Sequence, residues 1–164
     1  MHPHLDACLT ILLDATRGGG AECSVRKDPN KWSVAEVVEH LQRAYSGTAK
    51  GFERCLEKQA TLATGQTLQQ RIASFLLIHL GYFPPGREAP KHVIPTGALD
   101  LQAVLDASRR DLERLDAAAI TARAQFGGAK IVDHPRLGAL TADEWMKFHL
   151  VHTRHHEKHI RSRR

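Results

Sequence analysis

Residues 148–160 read FHLVHTRHHEKHI, which places His149, His152, His155, His156 and His159 within eleven positions. Neutral imidazole is the commonest nitrogen ligand for zinc, nickel and iron, so holding a divalent cation is the chemistry this run can do. Two histidines four residues apart on a helix can converge on one ion. That spacing occurs twice, as His152/His156 and as His155/His159, and spacing alone does not choose between them. At 100° per residue the five imidazoles span an arc of about 120°, shared with Trp145 and Phe148, while Arg154, Glu157, Lys158 and Arg161 lie opposite. Such segregation belongs to a packed helix and not to a flexible purification tag. Inward-facing imidazoles are costly to bury if they charge; a shared cation removes the conflict.

A third donor has to come from another helix. His40 is the best placed, at the margin of an apolar stripe, and His79 competes with it from inside FLLIHLGYF, where a packed structural role is the simpler reading. His2, His4, His92 and His134 fall in terminal or loop settings and are assigned no role.

The elements that must position these rings read as helices. Leu5 to Arg17 carries Leu5, Leu9, Leu12 and Leu13 on one face and stops at Gly18-Gly19-Gly20. Ser33 with Glu36 three residues on is a capping box. It opens a helix whose core stripe is Val34, Val37, Val38, Leu41, Tyr45 and Phe52, with Glu36, Glu39 and Arg43 on the solvent face. Leu68 to Tyr82 is a third helix, and the apolar run Ile72–Phe83 within it reads as buried. Residues 84–97 hold four prolines and two glycines and read as a helix-free connection or lid. Leu99 to Arg123 is the fourth helix; a turn-rich segment follows, and Thr141 with Glu144 caps the helix that carries the histidines to Ile160. No apolar run of period two appears, so the expected fold is all-α, an antiparallel four-helix bundle with an additional helix, in one domain over residues 1–164.

At 164 residues the chain can bury its own core, and 42% apolar with 25% charged residues excludes disordered and fibrous classes. The longest apolar stretch is too short to span a bilayer, so no membrane partner is expected. No export signal is apparent at the N-terminus, so a cytoplasmic location is expected. Cys8, Cys23 and Cys55 are too widely spaced for a thiolate zinc site and read as reduced and structural. The formal charge of +5 gathers in part at Lys158, Arg161, Arg163 and Arg164; without a recognition pattern this reads as a solvated tail and not a nucleic-acid surface.

The segment His134-Pro-Arg-Leu-Gly-Ala-Leu-Thr-Ala-Asp-Glu-Trp145, then Phe148-His149-Leu-Val-His152-Thr-Arg-His155-His156, resembles the signature of the DinB/YfiT-like metalloenzyme superfamily. WSVAEVVEHL, Trp32 to Leu41, is similar to the first ligand helix of that family. The resemblance implies a four-helix bundle, a homodimer, and a divalent metal, zinc or nickel, held by His40, His152 and His156, with His155 in a supporting or interface position. Where the family pattern has Gln this chain has His159. The resemblance further implies a metal-dependent transferase that uses a low-molecular-weight thiol on a small-molecule substrate. A hydrolase using a metal-bound hydroxide and a non-catalytic metal-binding or dimerisation bundle are the alternatives. No catalytic side chain is evident in the quoted motifs.

Overall fold

The computed structural model describes residues 1–83 and 89–164. They form α1 (Pro3–Thr16), α2 (Val34–Glu57), α3 (Leu68–Ser74), α4 (Leu101–Phe126), a hairpin of β1 (Lys130–His134) and β2 (Gly138–Thr141), and α5 (Ala142–Arg163). The class is mostly helical, as expected. Of the connection anticipated over residues 84–97, positions 84–88 lie outside the described residues, and the remainder carries a short 3₁₀ turn at Lys91–Val93.

α2 packs along α4, α1 packs along α5, and α2 also meets α5. The apolar stripes meet in one core, where Tyr45, Phe52, Leu112, Leu115, Met146 and Ile160 are almost wholly excluded from solvent. Burying a large side chain of this kind contributes about 1.5–3 kcal/mol. Both anticipated capping boxes form. Ser33 Oγ accepts from the Glu36 amide and Glu36 returns a carboxylate oxygen to the Ser33 amide, and Thr141 and Glu144 do the same at the start of α5. A third box, Thr67 with Gln70, starts α3.

Four expectations are corrected. The turn-rich segment before α5 is a β-hairpin: its strands run only five and four residues with a register irregularity near Lys130, too short for period-two patterning to show in the sequence. Trp145 Nε1 donates to the Val132 carbonyl at 3.1 Å, so the hairpin fixes the first turn of α5. Second, the helix expected through Tyr82 is α-helical only to Ser74 and widens into a π turn over Phe75–His79. This element meets the core along one edge, through Ser74 and Ile78, so the run read as buried shows solvent Leu68, Ile72, Phe75, Leu76, Leu80 and Tyr82. Third, the basic C-terminus is not a solvated tail. α5 continues to Arg163, whose guanidinium donates to the Trp32 carbonyl, and Arg164 Nη1 donates to the Ala15 carbonyl at the end of α1. Fourth, Glu36 and Glu39 are buried, not solvent-facing: Arg26 donates to both carboxylate oxygens of Glu36, at 2.8 and 2.6 Å, and Glu39 is held by the loop contacts described below.

Candidate metal centre

Cross-helix contacts between α2 and α5 build the centre, and position along α5 falls as position along α2 rises: His40 meets His152 and His156, Tyr45 meets Thr153 and His149, and Thr48 meets His149. The two helices are therefore antiparallel along this seam. Hydroxyl bookkeeping fixes the protons. Thr48 Oγ1 gives its one hydrogen to the Ala44 carbonyl, so His149 Nε2–H donates to Thr48 at 3.0 Å and the His149 Nδ1 is bare. Thr153 likewise donates to the His149 carbonyl, so the Tyr45 hydroxyl donates to Thr153 at 2.6 Å.

At the end of the seam stand His40, His152 and His156. His40 and His152 are 4% and 8% exposed, and His156 is half-buried. The His40 Nδ1–H donates to the Val93 carbonyl at 2.9 Å, which places the lone pair on Nε2. That Nε2 lies 3.2 Å from His152 Nε2. Ring centroids are 5.1 Å apart for His40/His152 and 4.8 Å for His40/His156 and His152/His156. One ligand nitrogen from each ring lies within 4.8 Å of the others. Two nitrogens at the usual zinc bond length of about 2.0–2.1 Å and a tetrahedral angle sit about 3.3 Å apart. The His40/His152 pair is already at that separation. The two nitrogens can also share one proton, which makes the same contact a hydrogen bond in the metal-free protein. Neither arrangement satisfies everything, because the Nδ1 atoms of His152 and His156 are buried without a partner among the described residues. Each such atom costs about 1–3 kcal/mol.

Burial holds these rings neutral, the state a metal requires. It pushes the pKa of His156 down to about 2, with His40, His155 and His159 adding to the shift, and drives that of His152 well below its ordinary value. The His40 pKa is lowered by burial, against the opposing bond to Val93. Among the described residues no carboxylate joins the triad. Aromatic rings wall it: Trp32 lies 5.2 Å from the His40 ring, Phe148 5.3 Å and Phe83 5.8 Å from the His152 ring.

The model of a family described as a protein of unknown function, DUF1569, matches residues 20–163. The chain belongs to the DUF1569 family. Neither a curated protein nor a solved structure matches it. The match carries no activity and no link to the DinB-like superfamily. In this DUF1569 chain, everything from the start of α2 to the last turn of α5, all three triad histidines included, lies inside the matched region.

Of the sequence-derived donors, His40, His152 and His156 come together; His79 does not, being exposed on the π turn with its Nδ1 3.5 Å from Lys147 Nζ. His155 and His159 sit beside the triad at half burial. Two residues went unread. His134 caps the hairpin turn through its Nδ1, which accepts from the Arg136 and Leu137 amides. Glu39 accepts from the Thr96 amide and hydroxyl at 2.9 and 2.8 Å and from the Gly97 amide at 2.9 Å. Burial pushes its pKa up, but these bonds and Arg43 outweigh it and leave the carboxyl below its ordinary value. Adjacent residues of α2 thus grip one loop twice, Glu39 at Thr96–Gly97 and His40 at Val93.

Two outcomes follow. In Glu39→Gln the carboxamide cannot accept all three bonds, so stability falls by about 1–3 kcal/mol and the slowly exchanging His40 Nδ1–H proton resonance is lost. A resonance that persists unchanged would detach Glu39 from His40. Second, the folded-state pKa values of His134 (about 4), His149 (about 3) and His156 (about 2) lie below the unfolded imidazole value of 6.5. The unfolded chain therefore binds protons that the native one does not, and stability rises with pH across that window. The urea midpoint of chelator-treated protein is complete above pH 6.5 and declines steadily towards pH 4.

Proposed function

We propose that this protein is a DinB-like metalloprotein whose long helices α1, α2, α4 and α5 make an antiparallel four-helix bundle, and that His40, His152 and His156 hold a divalent cation, zinc or nickel. The observation that carries the reading is the convergence of three neutral imidazoles from two helices, two of them buried and the third half-buried, with one nitrogen pair at 3.2 Å. The donor set fits the group. Three neutral nitrogens are the protein share of a catalytic zinc site, which keeps a position open for substrate, whereas closed structural sites use four protein ligands.

The activity we assign is transfer to a low-molecular-weight thiol, with hydrolysis as the second reading and non-catalytic metal binding as the third. A cation held there supplies Lewis acidity, which depresses the pKa of a thiol placed beside it. The chain does the rest by placement. Val93 fixes the His40 tautomer, and the rings of Trp32, Phe83 and Phe148 restrict water around the triad. In the transfer the thiol proton passes to solvent, sulfur bonds to the electrophilic carbon, and the leaving group departs with its bonding pair. Metal analysis of untagged protein is expected to give about one equivalent, and His152→Ala much less; equal contents in the two would remove the site. Turnover of an electrophilic aryl halide only when thiol and metal are both present supports the transferase, while turnover of an ester without thiol moves the assignment to hydrolase.

We assign the expected homodimer to the outer face of α3 and its π turn. Leu68, Ile72, Phe75, Leu76, Leu80 and Tyr82 are 37–71% exposed there. At about 200 Å² per side chain they offer roughly 600 Å², close to the roughly 800 Å² per partner of a standard interface. Between residues 68 and 82 the only charged side chain is Arg71, so a two-fold contact brings few like charges together. Sedimentation is expected to give a dimer for the parent and a monomer for Phe75→Glu; a monomeric parent rejects the assignment.

A further inference from the structure

The triad does not use His155 and His159, which form the second i, i+4 pair of α5. Their rings lie 5.1 Å apart, and each also contacts His156, at 5.0 Å for His155 and 5.3 Å for His159. His156 therefore belongs to two triangles of imidazoles, an inner one with His40 and His152 and an outer one with His155 and His159. The outer rings are half-buried where His40 and His152 are closed off, so the outer pair is the part of the cluster a hydrated ion meets first. Neither outer ring makes a hydrogen bond to a described residue, which leaves their nitrogens available. Phe83 stacks on His155 at 4.4 Å and also faces His152 at 5.8 Å, an apolar wall along the way from the outer rings to the inner ones.

From this arrangement we infer that His155 and His159 form an outer docking pair for divalent cations, which hand the ion through His156 to the inner triad. The inference rests on the triad being a metal site. An aqua ion loses its waters one at a time, and each imidazole replaces one of them, so a ladder of rings lowers the dehydration barrier without a large change at any step. The pair is built for passage and not for retention. It offers two donors, its nitrogens do not converge with a third among the described residues as those of the triad do, and its charged neighbours Lys158 and Arg163 are positive. Glu157, the nearest carboxylate in sequence, is paired with Arg161. Two neutral donors among positive charges hold a dication weakly, which keeps release to the triad fast.

The test uses chelator-stripped full-length protein mixed with Co²⁺ in a stopped-flow instrument, following the visible bands that cobalt acquires at a nitrogen site. The variants are the double substitution His155→Asn with His159→Asn, and His152→Ala. The double variant is expected to reach the parent's final spectrum and affinity while taking up and releasing cobalt about tenfold more slowly, since a group acting only on the barrier changes both rates alike. Unchanged rates would overturn the inference, and so would a changed final spectrum or affinity, which would make the pair part of the site itself. Thermal melts of the double variant establish that it is folded. Parent protein that acquires no cobalt bands, like His152→Ala, overturns the metal-site reading instead and the docking pair with it.

Discussion

Keeping several imidazoles out of water on one face of α5 is the constraint around which this molecule is organised. A buried histidine must stay neutral and must find partners for two ring nitrogens, one a donor and one an acceptor. α2 supplies most of them. Thr48 takes the His149 proton, and His40 meets His152 and His156. Beside them, Tyr45 and Thr153 close a buried hydroxyl pair that locks the same seam. These polar contacts have directions set by single protons, which an apolar seam would lack, and so they specify how α2 and α5 register against each other more tightly than packing alone. Two of the nitrogens left over, on His152 and His156, lie at one end of the seam, and the third, His149 Nδ1, lies at the other. Where His40, His152 and His156 converge, facing nitrogens can share one proton or lend their lone pairs to one cation.

The loop between the π turn and α4 answers a second need. A ligand histidine is useful only if its far nitrogen is held, because that bond selects the tautomer and fixes the ring plane. His40 obtains it from Val93, a backbone carbonyl at the end of a three-residue 3₁₀ turn. Such a segment would not hold its carbonyl in place by itself. Glu39 holds it, through three short bonds to Thr96 and Gly97, and the buried charge is compensated by those donors and by Arg43. Consecutive residues of one helix thus divide the work, one gripping the loop and the other using what the grip positions.

The parts legible in the sequence were those with local causes. Ser33/Glu36 and Thr141/Glu144 announce their helices because a capping box is complete within four residues. The inward arc of α5 and the place of His40 on α2 follow from helical period alone. What escaped depends on chain segments far apart. Glu39 lies on the face that a wheel assigns to solvent, and only a loop 57 residues downstream buries it. The hairpin escaped because His134-Pro-Arg-Leu-Gly138 reads as punctuation, and strands of four and five residues are too brief for alternation to register. The apolar run from Ile72 to Phe83 misled in the opposite sense, since composition reports that a surface is hydrophobic but not whether this chain is the one that covers it.

α5 also shows how a single helix can grade its environment by position. His149 is wholly enclosed, His152 nearly so, and His156, His155 and His159 are half-buried as the helix approaches its C-terminal end. The cause is the fold around it, because the hairpin and Phe148 close the early turns while Phe83 stacks on His152 and His155 further along. Imidazole chemistry changes along such a gradient without any change of residue type. Deep in the core a histidine serves as a neutral hydrogen-bonding link, part-way out it can lend a lone pair to a shared cation, and near the surface it can exchange a ligand with solvent. A run of histidines that looks redundant in the sequence is, on this helix, a series of different environments for one functional group. The position of each ring along the helix, more than its identity, then decides what it can do.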